Sequence, residues 1–592
     1  MTLLERPAGR LEGPAETPVS GKRTLRPLLG AALALGFLLR APLYFANPSL
    51  LLDEGRLALN IASRSFAELA LPLDYDQTAP LLFLWAAKAL TLLFGVSEYA
   101  LRAIPFVAGL AMLPLTYLVA RRVLGAHAGV LAVALAAVSP LYLQYVRQVK
   151  PYTLDGVVAL ALLWLALDWV DDSRSARAWR RLLVAGTAAV WLSIPAVLVL
   201  AGMTAVLWLA PEAERPPRPR LMLAGITWIA SFLLAYLWIY QPASDNPYMQ
   251  QFWRGSLLTL WEPGVLGRAW QGLREFGWQI FGGGSTEPPL KLADRLDIDG
   301  VVIAVVLLAA VGLRHAAGRS GRTRALLLIA PLAGAIAASL AGGYPIAGRI
   351  MLFAAPGVVV AVAGGVVTLL ARLAPRLRVP AAVVGTASLL GLALPLGVTL
   401  ALHPLAFEHV RPAVAEYERR AGFREPVYVF SAALPAWTFY TTDWSSPDRD
   451  RLARMARLGA FGGAAFENAP PRSRPMLPPD SAGLSHVLRG TTEIIGAFAG
   501  AQWRSGVGNV QFHPDTNWAV HEARRIAAAG ATAGGVWVLF IRTLGLERQV
   551  FAEMGMCADD VYQHRGVLLA RFVPRLRAGS ICHAEPHPGS GP

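Results

Sequence analysis

Cysteine and charge are both scarce in this chain. The two cysteines of its 592 residues, Cys557 and Cys582, lie near the C-terminal end. That excludes a zinc ribbon or a dense disulfide framework, and leaves room for one bridge if this end faces an oxidising compartment. Only 16% of residues are charged, against 55% hydrophobic, and the mean hydropathy is +0.45. A soluble protein of ordinary composition is thereby excluded, and the chain reads as a membrane protein. Acidic residues are outnumbered 39 to 54, for a net charge of +15. The arginines fall in short clusters between apolar runs of membrane-spanning length, so they point to orientation and not to nucleic acid. Residues 1–24, with Pro7, Gly9, Pro14 and Pro18, lack the apolar core and small-residue cleavage site of a signal peptide. They are expected to form a disordered cytoplasmic tail, with the first apolar segment kept as an anchor.

What the chain has in abundance is apolar segments: 27–46, 80–95, 99–120, 126–146, 152–170, 182–210, 221–240, 299–314, 325–341, 349–371 and 380–402. Basic clusters separate them at Lys22/Arg23/Arg26, Arg121/Arg122, Arg174 to Arg181, Arg215/Arg218/Arg220, Arg314 to Arg324, and Arg372/Arg376/Arg378. If all of these face the cytoplasm, an even number of crossings separates each consecutive pair. Parity then removes one run before Arg121. The segment 80–95, which opens with Pro80 and carries Lys88 at its middle, is predicted to lie along the outer surface. Parity also splits 182–210 into two crossings at the "SIP" of Ser193 to Pro195. The expectation is a polytopic α-helical membrane protein with about eleven crossings and the N-terminus inside. A membrane domain over 25–402 has outer loops at 47–98, 147–152, 241–298 and 342–348. Residues 403–592 form an outer domain, read as α/β. Its "PVYVFSAALPAWTFYTTDW" and "GGVWVLFIRT" resemble buried strands, with helix-like "RPAVAEYERRAG" and "AVHEARRIAAAG" nearby.

Three polar sets fall at the outer surface. Asp53 and Glu54 open a predicted helix, "DEGRLALNIASRSF", where carboxylates serve equally as caps stabilised by the helix dipole or as catalytic groups. In "SPLYLQYVRQVKPYTLDG", Arg147, Lys150, Tyr152 and Asp155 sit at the turn between two spans, where ionisable groups mark function or snorkel. In "GGYPIAGRIMLFAAPG", Tyr344 accompanies Arg349, and this arginine breaks the inside-positive pattern, as a phosphate ligand or a lipid-headgroup contact would. Asp74 and Asp76, a D-x-D pair, are weak candidates for a divalent metal. The Trp-rich loop 241–298 fits interface anchoring better than sugar stacking.

The order of these pieces resembles the membrane-embedded GT-C glycosyltransferases. They run from the acidic pair to "TAPLLFLWAAKALTLLFGVSEYALRAIPFVAGL", "RRVLG", "SPLYLQYVRQ…YTLDG", "YPIAGRIMLFAAPGV" and "EPVYVFSAALPAWTFYT". The similarity is greatest to the branch holding protein O-mannosyltransferases, the aminoarabinose transferase of lipid A and the RgtA/B/C/D-like transferases. It runs along most of residues 25–445. The resemblance implies a polyprenyl-phosphate sugar donor, used at the extracytoplasmic face of the cell membrane with inversion, and a lipid, glycan or protein acceptor. It also implies Asp53 as the active-site acid/base, with Glu54 and Asp155 as further acidic candidates. Arg147, Lys150, Tyr344 and Arg349 would lie against the donor phosphate. Gln77, Thr78, Ala79 and Pro80 stand where relatives often carry a lysine and paired prolines, and Leu57 stands where many carry an aromatic. That departure predicts a missing cation at this spot. Two other readings stay open: a secondary transporter or flippase, which would show a repeat with broken midplane helices, and a non-catalytic scaffold.

Overall fold

The computed structural model describes residues 21–281, 297–372, 394, 395, 398, 408–459, 485–489, 491–496, 516–541 and 546–574. Among them, seven helices are long and apolar enough to cross a membrane: Leu25–Phe45, Glu98–Leu124, Tyr152–Asp171, Arg218–Tyr240, Ile298–Ser320, Arg322–Leu340 and Gly348–Arg372. Helices of this composition satisfy their backbone internally, as lipid demands. In chain order the first elements are α1 (Gly21–Phe45), α2 (Leu52–Ser63), α3 (Leu81–Phe94), α4 (Glu98–Leu124), α5 (Ala126–Val138), α6 (Pro140–Tyr145) and α7 (Tyr152–Asp171). The predicted break of 182–210 is present: Ala176–Leu192 ends at Ser193, and Ala196–Trp208 begins after Pro195. The run 126–146 is broken as well, where Ser139 turns extended before Pro140. The carbonyls of Ala136 and Ala137 at the end of α5 accept from the fully buried Arg40 at 2.9 and 3.0 Å. A cation there suits the helix C-terminus. The segment 380–402 falls almost wholly outside the described residues, as does most of the N-terminal tail.

Small residues let several helices touch backbone to backbone. A Cβ added to Gly312 would lie 1.9 Å from Ala361 O, and one added to Gly365 would lie 2.0 Å from Leu308 O. These two glycines join Ile298–Ser320 to Gly348–Arg372. Basic clusters from different loops meet at one end of the bundle. Arg122 bonds Asp168 at 2.6 Å and Asp171 at 2.5 Å, Arg324 bonds Asp171 at 2.7 Å, and Arg220 donates to Arg174 O at 2.6 Å.

At the opposite end, α2 and α3 fill the connection between α1 and α4. With 14 residues, α3 is short for a span, and it exposes Leu92, Leu93 and Phe94 at its end. Lys88 does not snorkel there: it is buried and donates to Ala62 O at 3.0 Å, closing the C-terminal turn of α2.

The C-terminal domain holds a six-stranded mixed sheet in the order β2-β3-β1-β4-β6-β5. Its strands are β1 (Val427–Val429), β2 (Ser485–Leu488), β3 (Thr491–Ile495), β4 (Val536–Ile541), β5 (Met556–His564) and β6 (Val567–Pro574). β1 lies parallel to β3 and β4, and the other pairs are antiparallel. Val427, Val429, Trp537 and Leu539 pack against helices Val410–Ala421 and Leu434–Thr441; Tyr428, Val536, Val538 and Phe540 face Thr516–Ala533 and Leu546–Met554. Burial on both faces explains the unbroken apolar run of β4. The stretch "LPAWTFYT", read with the strands, is helical: Pro435 near its start suits a helix N-terminus. Cys557 in β5 is disulfide-bonded.

Candidate functional site

The site begins with the two carboxylates of α2. Leu51 is the N-cap, so Asp53 and Glu54 occupy the second and third helical positions. Glu54 is turned inward, and its side chain is 2% exposed. Its carboxylate accepts from Arg102 Nε at 3.1 Å and Nη2 at 3.0 Å, from Leu51 N–H at 3.1 Å and from Val149 N–H at 2.8 Å. It therefore closes the first turn of α2 by reaching back to the N-cap N–H, and it ties the loop before α2 to the one before α7. Arg102 donates in addition to Asn47 Oδ1, Pro48 O and Ser49 O.

Asp53 points the other way. Its carboxylate is 37% exposed and accepts from Arg349 Nη2 at 3.1 Å. Arg349 opens the 3-10 turn Gly348–Ala354, so residues 296 positions apart in sequence form the centre of the site. The Tyr145 and Tyr152 rings pack edge to face at 5.3 Å, and both lie within electrostatic range of Arg349.

Lys150 completes the group. Its ammonium donates to Gln77 Oε1 at 2.7 Å and feels Asp53, Arg349, Arg56 and Glu54. Burial pushes the ammonium down to about 8, against the pull of Asp53. Lys150, reaching from the second loop, thus brings a cation against Gln77.

The remaining candidates are spread around this centre. Arg147 is buried in the second loop, and desolvation, with Arg102 close by, lowers it to about 10. Asp155 is buried in the first turn of α7, facing Ser193 and the Tyr240 and Tyr344 phenols. Burial holds the Tyr344 phenol well above its ordinary value, and as a neutral donor it bonds Ile350 O at 2.7 Å. Asp74 pairs with Arg64 at 2.9 Å, and Asp76 accepts from Asn246 at 2.8 Å. A divalent ion at the D-x-D pair would compete with Arg64 for Asp74. Among the described residues no group of three or more His, Cys, Asp or Glu converges as metal ligands.

Two neighbours of the centre went unmarked in the sequence. Arg56, buried on α2, lies one turn after Asp53, near Lys150. Its i, i+3 spacing from Asp53 was the available signal. Glu275, in the third-loop helix Val265–Phe281, lies near Arg349 and accepts from Gln279 at 3.0 Å. Desolvation raises its carboxyl above the usual range.

Residues 78–239 match the family described as dolichyl-phosphate-mannose-protein mannosyltransferase. The apo crystal structure of ArnT from Cupriavidus metallidurans superimposes with a TM-score of 0.50 at 14% identity, over 93% of this chain and 98% of that one. The undecaprenyl phosphate-bound structure of the same protein gives 0.48, with the same identity and coverage. The apo oligosaccharyltransferase of Archaeoglobus fulgidus gives 0.46 at 13% identity, over 70% of this chain and 63% of that one. No curated protein matches the chain in sequence. The chain has the fold of the GT-C membrane glycosyltransferases, and the ArnT-like arrangement in particular: a helical membrane domain followed by a small sheet domain.

Proposed function

We propose that the protein is an inverting glycosyltransferase that moves a monosaccharide from a polyprenyl-phosphate donor to an extracytoplasmic lipid, glycan or protein acceptor. Asp53 Oδ takes the proton of the acceptor hydroxyl as its oxygen attacks the anomeric carbon. The bond from that carbon to the phosphate oxygen breaks on the opposite face, and its electron pair leaves with the polyprenyl phosphate. A phosphate departs as an anion and needs no proton, so one carboxylate suffices where a glycosidase uses two. Arg349 and Lys150 stabilise the developing phosphate charge, with Arg147 behind them.

The observation that carries this reading is the contact between a half-exposed Asp53 and Arg349 at the end of the bundle opposite the basic clusters. The same arrangement supports a cell-membrane location with the site and outer domain extracytoplasmic and the N-terminus cytoplasmic. The disulfide-bonded Cys557 agrees with an oxidising side for the outer domain. The test is incubation of the purified protein in liposomes with a panel of polyprenyl-phosphate sugars and envelope acceptors. Release of polyprenyl phosphate and a product of inverted anomeric configuration are expected. A product of retained configuration would rule out the single-displacement mechanism.

A further inference from the structure

The loop that leads into Asp53 is held from two sides, and one side belongs to the outer domain. Leu52, the residue before Asp53, donates its backbone N–H to Glu408 Oε2 at 2.5 Å. Glu408 is 1% exposed and stands two residues before the helix Val410–Ala421. Leu50 N–H donates to the Tyr440 hydroxyl at 2.7 Å, which itself donates to Glu98 Oε1 at 2.9 Å. Arg411 bonds Glu98 at 2.7 Å and Asn47 O at 2.7 Å, and its own N–H reaches Ser49 Oγ at 3.1 Å. A Cβ on Gly55 would lie 3.1 Å from Ala436 N, so outer-domain backbone also presses directly on α2.

We infer that Glu408 is a positioning residue for the reaction: by accepting the Leu52 N–H it fixes the first turn of α2 and with it the Asp53 carboxylate. The inference rests on the reading of Asp53 as the base. The first N–H groups of a helix have no partner within it. In α2 the Leu51 N–H is taken by Glu54 from within the helix, and the Leu52 N–H by Glu408, from 356 residues away. The outer domain is therefore part of the active-site frame, whatever it does for the acceptor. Lys150 and Arg349 come from other loops, so loss of this contact is expected to fall on kcat more than on donor binding.

Displacing a reacting group by 1 Å costs on the order of 10²-fold. Glu408→Ala is expected to lower kcat roughly 10- to 100-fold by this effect, while leaving the donor KM close to wild type. Glu408→Gln keeps an acceptor oxygen and is expected to recover most of kcat. Tyr440→Phe, which removes the acceptor of Leu50, is expected to lower kcat less. Hydrogen exchange of the peptide containing Leu50 and Leu52, measured on the full chain, is expected to quicken in Glu408→Ala and Tyr440→Phe but not in Glu408→Gln. Wild-type kcat and exchange in Glu408→Ala would overturn the inference. So would a kcat loss that Glu408→Gln fails to recover, or one accompanied by an equal rise in donor KM. If Asp53→Asn stays active, the base assignment fails instead, and the exchange data still report on the clamp by themselves.

Discussion

Substituting Glu54 should unfold the protein, whereas substituting its neighbour Asp53 should silence it. Glu54 and Arg102 form a buried pair, 2% and 1% exposed, with both guanidinium contacts near 3 Å. Removing the charge of Glu54 leaves Arg102 buried beside loop carbonyls that cannot neutralise it, a loss of ~3–5 kcal/mol. The Asp53–Arg349 pair is more than one-third exposed on each side, so its loss costs ~0–1 kcal/mol after solvent screening. The difference, about 3 kcal/mol, is a factor of roughly 10² in the folded ratio. The assay is the fraction that elutes as a monodisperse peak from detergent after heating. Glu54→Gln and Arg102→Met should each collapse at lower temperature, Asp53→Asn should track wild type, and Glu54→Leu with Arg102→Met should recover much of the loss. If the double variant is as unstable as the sum of the singles, or Asp53→Asn falls as far as Glu54→Gln, the division of labour between the two carboxylates is wrong.

Other outcomes follow from the same geometry. Arg349→Lys should lower kcat by ~10²–10³ with normal membrane insertion, measured as polyprenyl phosphate release. Lys150 carries its charge below about 8 and loses it above, so kcat/KM for the donor should fall with rising pH beyond that point, and Lys150→Arg should extend the plateau. Gly312→Leu should destabilise the bundle by ~1–3 kcal/mol or more, read as earlier heat-induced aggregation, because its side chain would meet Ala361 O.

The apolar periodicity and the arginine clusters made the long spans legible, and Pro195 marked the break between Ala176–Leu192 and Ala196–Trp208 because proline lacks the N–H that a helix interior uses and crowds the preceding turn. Asp53, Lys150 and Arg349 were legible as charges out of place at an outer surface. What could not be read was which partner each one meets. Two adjacent carboxylates are alike in sequence; burial against Arg102 makes Glu54 a cap, and the opposite orientation leaves Asp53 half-exposed beside Arg349. Lys88 looked like an interfacial lysine because its Ala62 partner lies 26 residues away, on another helix. "LPAWTFYT" has strand-forming side chains, and its helical state is set by packing beneath β1. Glu408 carried no local signal, since its bond to Leu52 spans 356 residues.

The most direct test compares sugar transfer by wild type and Asp53→Asn in liposomes, using the polyprenyl-phosphate sugar that supports turnover and matched amounts of folded protein. The account predicts that wild type transfers the sugar, while Asp53→Asn still binds the donor and loses transfer by ~10²-fold or more. Transfer by Asp53→Asn at the wild-type rate would contradict it.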